Sequence, residues 1–327
     1  MNNLARRTFL IAAGMLFAGP LLADDRLGKV RPRVGFLSPV SPGKRDKAFV
    51  SGMEALGWIP GDTIDIDLRF AEGQPARLPG LVDELLALKP DVLVAGSTIG
   101  ARAAIEAEAS VPIVFAGSSD PVAAGLVKNL RHPGGNITGF SLAYGDGFAG
   151  KWLQLLKETV PELRHVALIW SSSNPAARRF VEEVSRVAAK LQIQLEVYHA
   201  KDRTELDAAL SSVESSGVGG FIVAPSPFAV SERKLLVAFS DRNRLPAIYF
   251  SESFPDDGGL MSYGPDIPDV YRRAAAHVDR ILKGADPGEL PVERPNKFDL
   301  VVNLRAAEAI GVTIPVSLLL RANRVID

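Results

Sequence analysis

The chain of 327 residues contains no cysteine. Disulfides, thiolate nucleophiles and metal sites that need sulfur are therefore excluded together. The four histidines, at 132, 165, 199 and 277, show no metal-ligand spacing, so no structural zinc is predicted. An excess of charge is missing as well: 37 Lys and Arg stand against 38 Asp and Glu, with no basic block or tail. Phosphate backbones require a clustered positive field, and nucleic acid is not expected as a partner. Catalytic signatures are also absent. No Gly-x-Ser-x-Gly occurs, no glycine loop ends in Gly-Lys-Ser or Gly-Lys-Thr, and no His falls in a triad context. No catalytic residue, metal or cofactor can be nominated.

Long apolar runs are confined to the beginning. Arg6-Arg7 precedes an uncharged run from Thr8 to Ala23, which ends Leu21-Leu22-Ala23 before Asp24-Asp25. A basic start, a short apolar stretch and a small residue at its end predict a cleavable signal peptide over residues 1–23, and hence export to the periplasm. Arg6-Arg7-Thr8-Phe9-Leu10 is also similar to a twin-arginine signal. The rival reading is an uncleaved anchor, for which the apolar run is short.

The stretch from Pro90 to Val127 organises the rest. It holds two short apolar runs, Asp91-Val92-Leu93-Val94-Ala95 and Val111-Pro112-Ile113-Val114-Phe115, each followed by small hydroxyl residues. Runs of this length, rich in Val and Ile, predict buried parallel strands joined by helical crossovers. The fold class is α/β, a doubly wound sheet. Arg33 to Ser38 reads as its first strand and Lys44 to Leu56 as a helix capped by Gly57. Thr63 to Phe70 alternates at period two and predicts a half-exposed strand near a sheet edge.

A second half repeats the plan. His165 to Ser171 echoes the first strand, while Gly220 to Ala224 and Leu245 to Phe250 echo the two central runs in type and order. Helices are predicted over 150–160, 178–191 and 205–215, with a strand over 193–198 between the last two. Met261 lies in a short glycine-framed strand, Ile267 to Leu282 in a long amphipathic helix, and Lys297 to Asn303 in an alternating strand. The result is two Rossmann-like lobes that face each other across a cleft.

These residues also carry a resemblance. Asp91-Val92-Leu93-Val94-Ala95-Gly96, Ser119-Asp120-Pro121-Val122, His132 through Gly139, Gly259 through Pro265 and Asn296 through Leu304 together resemble the exported substrate-binding proteins of ABC importers. The branch is the one with the type I periplasmic-binding fold that includes tryptophan and tyrosine binders. The resemblance implies three hinge crossings, closure of the lobes on a small organic solute, and delivery to a permease and ATPase in the membrane. The solute expected is an amino acid or an aromatic or carboxylate compound, bound by a monomer. Lobe 1 is placed at residues 31–141 plus about 256–292, and lobe 2 at 142–255 plus about 293–327. A sensory partner in place of the permease, or an exported α/β enzyme using the same cleft, are the competing readings. One departure stands out: where the family often has Gly-Thr-Pro after the third strand, this chain has Gly96-Ser97-Thr98-Ile99.

Candidate ligand residues follow from the strand ends, where open α/β sheets bind their ligands. Ser38, Ser97, Thr98, Ser118 and Ser119 close strands of the first half. Ser97 and Thr98 read equally as helix caps and as ligand contacts. Asp120 before Pro121 reads first as an N-cap and second as an ammonium partner. In the second half Trp170 is either a stacking platform or core, and Asn174 a cap or a polar contact. Ser226 and Phe228 occupy the matching turn, and Glu252 and Tyr263 lie near the expected second hinge. Glu252 would complement an ammonium group if buried and would otherwise be a rim charge.

Overall fold

The computed structural model describes residues 31–144, 147–172 and 177–327. The signal-peptide expectation lies outside these residues.

The first lobe contains β1 (Arg33–Ser38), α1 (Lys44–Ala55), β2 (Asp65–Phe70), α2 (Leu78–Ala87), β3 (Val92–Gly96), α3 (Ser97–Glu106), β4 (Ile113–Ser118) and β5 (Ile137–Ser141). Its sheet runs β2-β1-β3-β4-β5, and every pairing is parallel. Strand residues point alternately to opposite faces, so a strand apolar at every position must be covered on both sides. Val92, Val94, Val114 and Ala116 share one core with α1 and α10 (Ile267–Leu282), a helix contributed from later in the chain, whereas Leu93, Ala95, Ile113 and Phe115 pack under α2 and α3. β2 is the edge strand, half-buried along its whole length, as its alternation predicts.

The second lobe begins with α4 (Phe148–Thr159), β6 (His165–Trp170), α5 (Ala177–Lys190), β7 (Gln194–His199), α6 (Arg203–Ser216) and β8 (Gly220–Val223). It continues through α7 (Pro227–Ser231), α8 (Arg233–Arg242), β9 (Ala247–Tyr249), α9 (Ser253–Asp256) and β10 (Met261–Pro265). The chain then returns to the first lobe for α10 (Ile267–Leu282), and crosses back for β11 (Phe298–Asn303), α11 (Leu304–Ile310), α12 (Val316–Leu319) and β12 (Arg324–Ile326). The second sheet runs β12-β11-β10-β9-β8-β6-β7, parallel except where β10 meets β11.

The expected lobe boundary near 256 moves. β10 pairs with β9 on one side and β11 on the other, so it belongs to the second sheet, and the crossing falls between Pro265 and Ile267. The reason is non-local: a five-residue strand takes the sheet that offers it two partners. The other crossings run from Ser141 to Phe148 and from Glu293, which still bridges to Phe140, to Phe298. Helix α8 and strand β12 carry no signal in the sequence reading; the first follows a proline-rich turn and the second is three residues long.

α10 seals the first lobe by lying along α1. Gly52 permits that approach: a Cβ there would stand 2.5 Å from the Arg272 carbonyl oxygen and 2.9 Å from Ala275 Cβ. A larger residue gains about 1 kcal/mol at most in helix propensity and loses about 1–3 kcal/mol to overpacking. Gly52→Val should therefore lower the melting temperature by several degrees in a calorimetric scan.

The same helix buries His277, only 1% exposed, edge-on to Phe140 with Nε2 3.1 Å from the Pro291 carbonyl. Burial holds its imidazole below the ordinary 6.5, against the opposing pull of that carbonyl and Glu293, while Arg280 and Arg273 add to the lowering. The unfolded chain thus binds the proton more readily. Stability from this group is complete above pH 6.5 and is lost as pH falls toward the depressed folded value. In urea titrations between pH 7 and 5, His277→Gln should show a shallower loss of stability than the parent chain, whatever its stability at neutral pH.

Candidate functional site

The carboxyl ends of β3 and β4 in one sheet face those of β8 and β9 in the other. Between them lies a cavity of about 50 Å³. Ser97, Thr98, Ile99, Ala116, Gly117 and Ser119 line it from the first lobe, and Pro225, Ser226, Pro227, Val230 and Phe250 from the second. Leu142 and Tyr144 come from the first crossing, Ile267 and Tyr271 from the start of α10, and Arg45 from the start of α1.

Each polar group has a local cause. Thr98 Oγ1 and Ser118 Oγ lie 2.9 Å apart and tie the ends of β3 and β4 together. Ser97 opens α3 at a positive φ of 65°, an uncommon backbone conformation for a residue with a Cβ. Its hydroxyl is buried and has no hydrogen-bond partner among the described residues. Strain and an unpaired polar atom in one residue at a cavity wall are features that concentrate at binding sites. Ser226 caps α7, accepting the Ala229 N–H at 3.0 Å. Tyr144 donates to the Phe250 carbonyl at 3.3 Å, and burial raises its phenol well above the ordinary range. Burial likewise raises Tyr271, against the smaller lowering pull of the Arg45 charge.

Of the residues expected from sequence, Ser97, Thr98, Ser119 and Ser226 meet at this cavity. Ser118 stands directly behind it, bonded to Thr98. The others are placed elsewhere. Ser38 folds its hydroxyl onto Val40. Trp170 packs edge-on to His199 on the neighbouring edge strand, because its position on β6 faces that side. Phe228 is 8% exposed within the second lobe's core. Tyr263 stacks between Phe148 and Phe298. Asn174 lies outside the described residues. Sequence reasoning missed Arg45, Tyr144, Phe250, Ile267 and Tyr271. Phe250 ends the strand-like run of the second half and could have been found by the same strand-end logic as Ser226; α10 and the start of α1 reach the cavity only through the fold.

Asp120 and Glu252 flank the cavity as lobe-bridging charges. Asp120 accepts the Ala123 N–H and pairs with Arg179 of the second lobe at 3.0 Å. On another side Lys44 Nζ lies 3.1 Å from Glu252 and 3.0 Å from Asp256, and Asp256 also meets Arg324. The Asp256 hydrogen bond is the main cause holding the Lys44 ammonium above its ordinary value. Burial tends to raise the Asp256 carboxyl, but Lys44 and Arg324 outweigh it and leave it low. Gly73 adds steric contact, since a Cβ there would stand 2.3 Å from Ser231 Oγ across the gap. The lobes are closed on one another.

Two doubly wound lobes, three crossings and a cavity walled by both define a solute-binding protein of the type I periplasmic-binding class. The family of ABC transporter substrate binding proteins matches residues 35–326, and the chain belongs to it. It is similar to the tyrosine-binding protein of Clostridioides difficile (strain R20291), with 26% identity over 260 residues, 80% of this chain and 74% of that one. Among solved structures, an ABC domain from Streptococcus pneumoniae in complex with L-Trp has a TM-score of 0.84 at 27% identity, covering 91% of this chain and 100% of that one. A conserved domain protein from Vibrio cholerae O1 biovar El Tor also has a TM-score of 0.84 at 27% identity, over 90% and 100% of the two chains. The protein is a solute-binding component that works with an ABC transporter. Among its described residues, no helix is long and apolar enough to cross a membrane.

The bridging pairs are partly exposed, and such pairs are worth about 0–1 kcal/mol each. Removing both sides with Lys44→Ala and Arg179→Ala should shift the unliganded chain toward open forms without unfolding it. Small-angle scattering should show a larger radius of gyration than the parent, and an unchanged radius would mean that the pairs do not contribute to closure.

Proposed function

We propose that the chain captures a small amino acid, aromatic or carboxylate solute in the interlobe cavity by hinge closure, and hands it to the membrane permease and ATPase. The carrying observation is the cavity itself, which takes its wall from the strand ends of both lobes and from two of the three crossings. A wall divided in this way forms only when the lobes meet, so ligand affinity and closure are one equilibrium. The cavity, at about 50 Å³, is smaller than the roughly 150 Å³ that holds a benzene ring in an engineered core. An aromatic solute therefore enters an open form and is enclosed with the lobes set slightly further apart.

In this reading Ser97, Thr98, Ser119 and Ser226 supply polar contacts, while Tyr144, Phe250 and Ile267 cover apolar surface. The relatives that bind tyrosine and L-Trp support a solute of that size. The chain is exported through the signal in residues 1–23 and acts in the periplasm as a monomer.

The mature protein should be screened by thermal shift against amino acids, aromatic acids, short organic acids and polyols, with calorimetry on each hit. A solute at a hundred times its dissociation constant stabilises the fold by about 2.7 kcal/mol, which is easily read. A hit returned unchanged supports capture, and a compound consumed on incubation would overturn it. Ser97→Gly separates binding from folding. Relieving the positive φ should raise stability by about 1 kcal/mol, whereas loss of the hydroxyl should weaken the solute by a few fold.

A further inference from the structure

The cavity carries a charge imbalance that bears on its ligand. Among the described residues that line it, Arg45 is the one charged side chain. Among the described residues Arg45 forms no ion pair, and it shares the cavity wall with Tyr271. Both side chains carry hydrogen-bond donors, the Arg45 guanidinium N–H groups and the Tyr271 O–H. The start of α3 opens on the same cavity, with its free N–H groups uncapped by any side chain and the unpartnered Ser97 hydroxyl beside them. Every one of these groups offers a positive potential or a donor.

Among the described residues the complementary feature is missing. An α-amino acid brings an ammonium as well as a carboxylate, and a buried ammonium needs a counter-charge or a full set of acceptors. The described carboxylates around the cavity are engaged elsewhere. Asp46 accepts the Gly43 N–H at 2.7 Å at the head of α1, and Asp120 holds the Ala123 N–H and Arg179. Glu252 belongs to the rim cluster with Lys44 and Arg324.

Resting on the reading of the cavity as the solute site, we infer that the solute is a monocarboxylate with an apolar or aromatic body and no ammonium group, its carboxylate held by Arg45, Tyr271 and the head of α3. Arg45 is then the residue that sets specificity. This chain departs from its tyrosine- and tryptophan-binding relatives in the charge of the ligand while keeping their fold. Carboxylate capture by Arg45 from α1 also couples recognition to closure, since α1 carries Lys44 of the rim cluster one residue away.

Matched ligands test this directly. L-tyrosine, its deamino acid and tyramine, and the corresponding tryptophan set, are titrated into the mature protein by calorimetry alongside benzoate and a panel of polyols. The deamino acids or benzoate should bind at least about tenfold tighter than the amino acids, and the amines should not bind. Arg45→Gln should weaken the acid by roughly thirtyfold or more while melting like the parent, and Arg45→Lys should recover part of the loss. Amino acids binding as tightly as their deamino acids, or Arg45→Gln binding the acid unchanged, would overturn the inference. A hit confined to amines or polyols would do the same while leaving solute capture intact. A blank across every class would overturn both.

Discussion

Strands that are apolar on both faces cannot be joined by tight hairpins in one layer; they need a helix over each face, and the helix returns the chain to the starting edge. This constraint governs both halves of the molecule. Once Val92, Leu93, Val94 and Ala95 are all buried, β3 must lie centrally and parallel to its neighbours. Its end, like those of β4, β8 and β9, then emerges on one edge of its sheet. Two such edges set face to face make a cavity without any element devoted to it.

The interior of the cleft and its rim use charge differently. At the rim, Lys44, Glu252, Asp256 and Arg324 pair among themselves, and Asp120 pairs with Arg179. Water screens these contacts, so they bias an equilibrium between open and closed lobes rather than fix it. Inside, Arg45 faces neutral hydroxyls and apolar side chains. Partial withdrawal from water strengthens the field of that charge relative to the rim pairs. Weak pairs outside and, among the described residues, a single cation inside suit a protein that must both close on a solute and release it.

Legibility of the site in the sequence was uneven for a physical reason. Ser97 and Ser119 could be found because each directly follows a strand, and Ser226 because it lies in the short turn after one; strand ends are local features. Trp170 also follows that rule, yet its ring packs against His199, its register partner on β7, which lies on the same face of the sheet. Phe228 was placed at the site by its turn and Tyr263 by the expected second hinge, yet Phe228 belongs to the core of the second lobe and Tyr263 packs against it. Arg45 and Tyr271 sit in helices far apart in sequence, and nothing in either stretch shows that α1 and α10 lie side by side.

The sequence by itself determined the class of the molecule: two α/β lobes in order, the edge placement of β2, the helix starts and the position of the strand ends. Those properties follow from hydrophobic periodicity and turn chemistry within about ten residues, where the chain's own geometry decides. Tertiary structure alone decided that β10 joins the second sheet, that α10 crosses back to cover the first, and that Arg45 has no carboxylate partner among the described residues. Each of these depends on which distant segments meet. Such meetings are set by the packing of whole elements, so the sign of the charge in the cleft could be read only once the lobes were folded and closed.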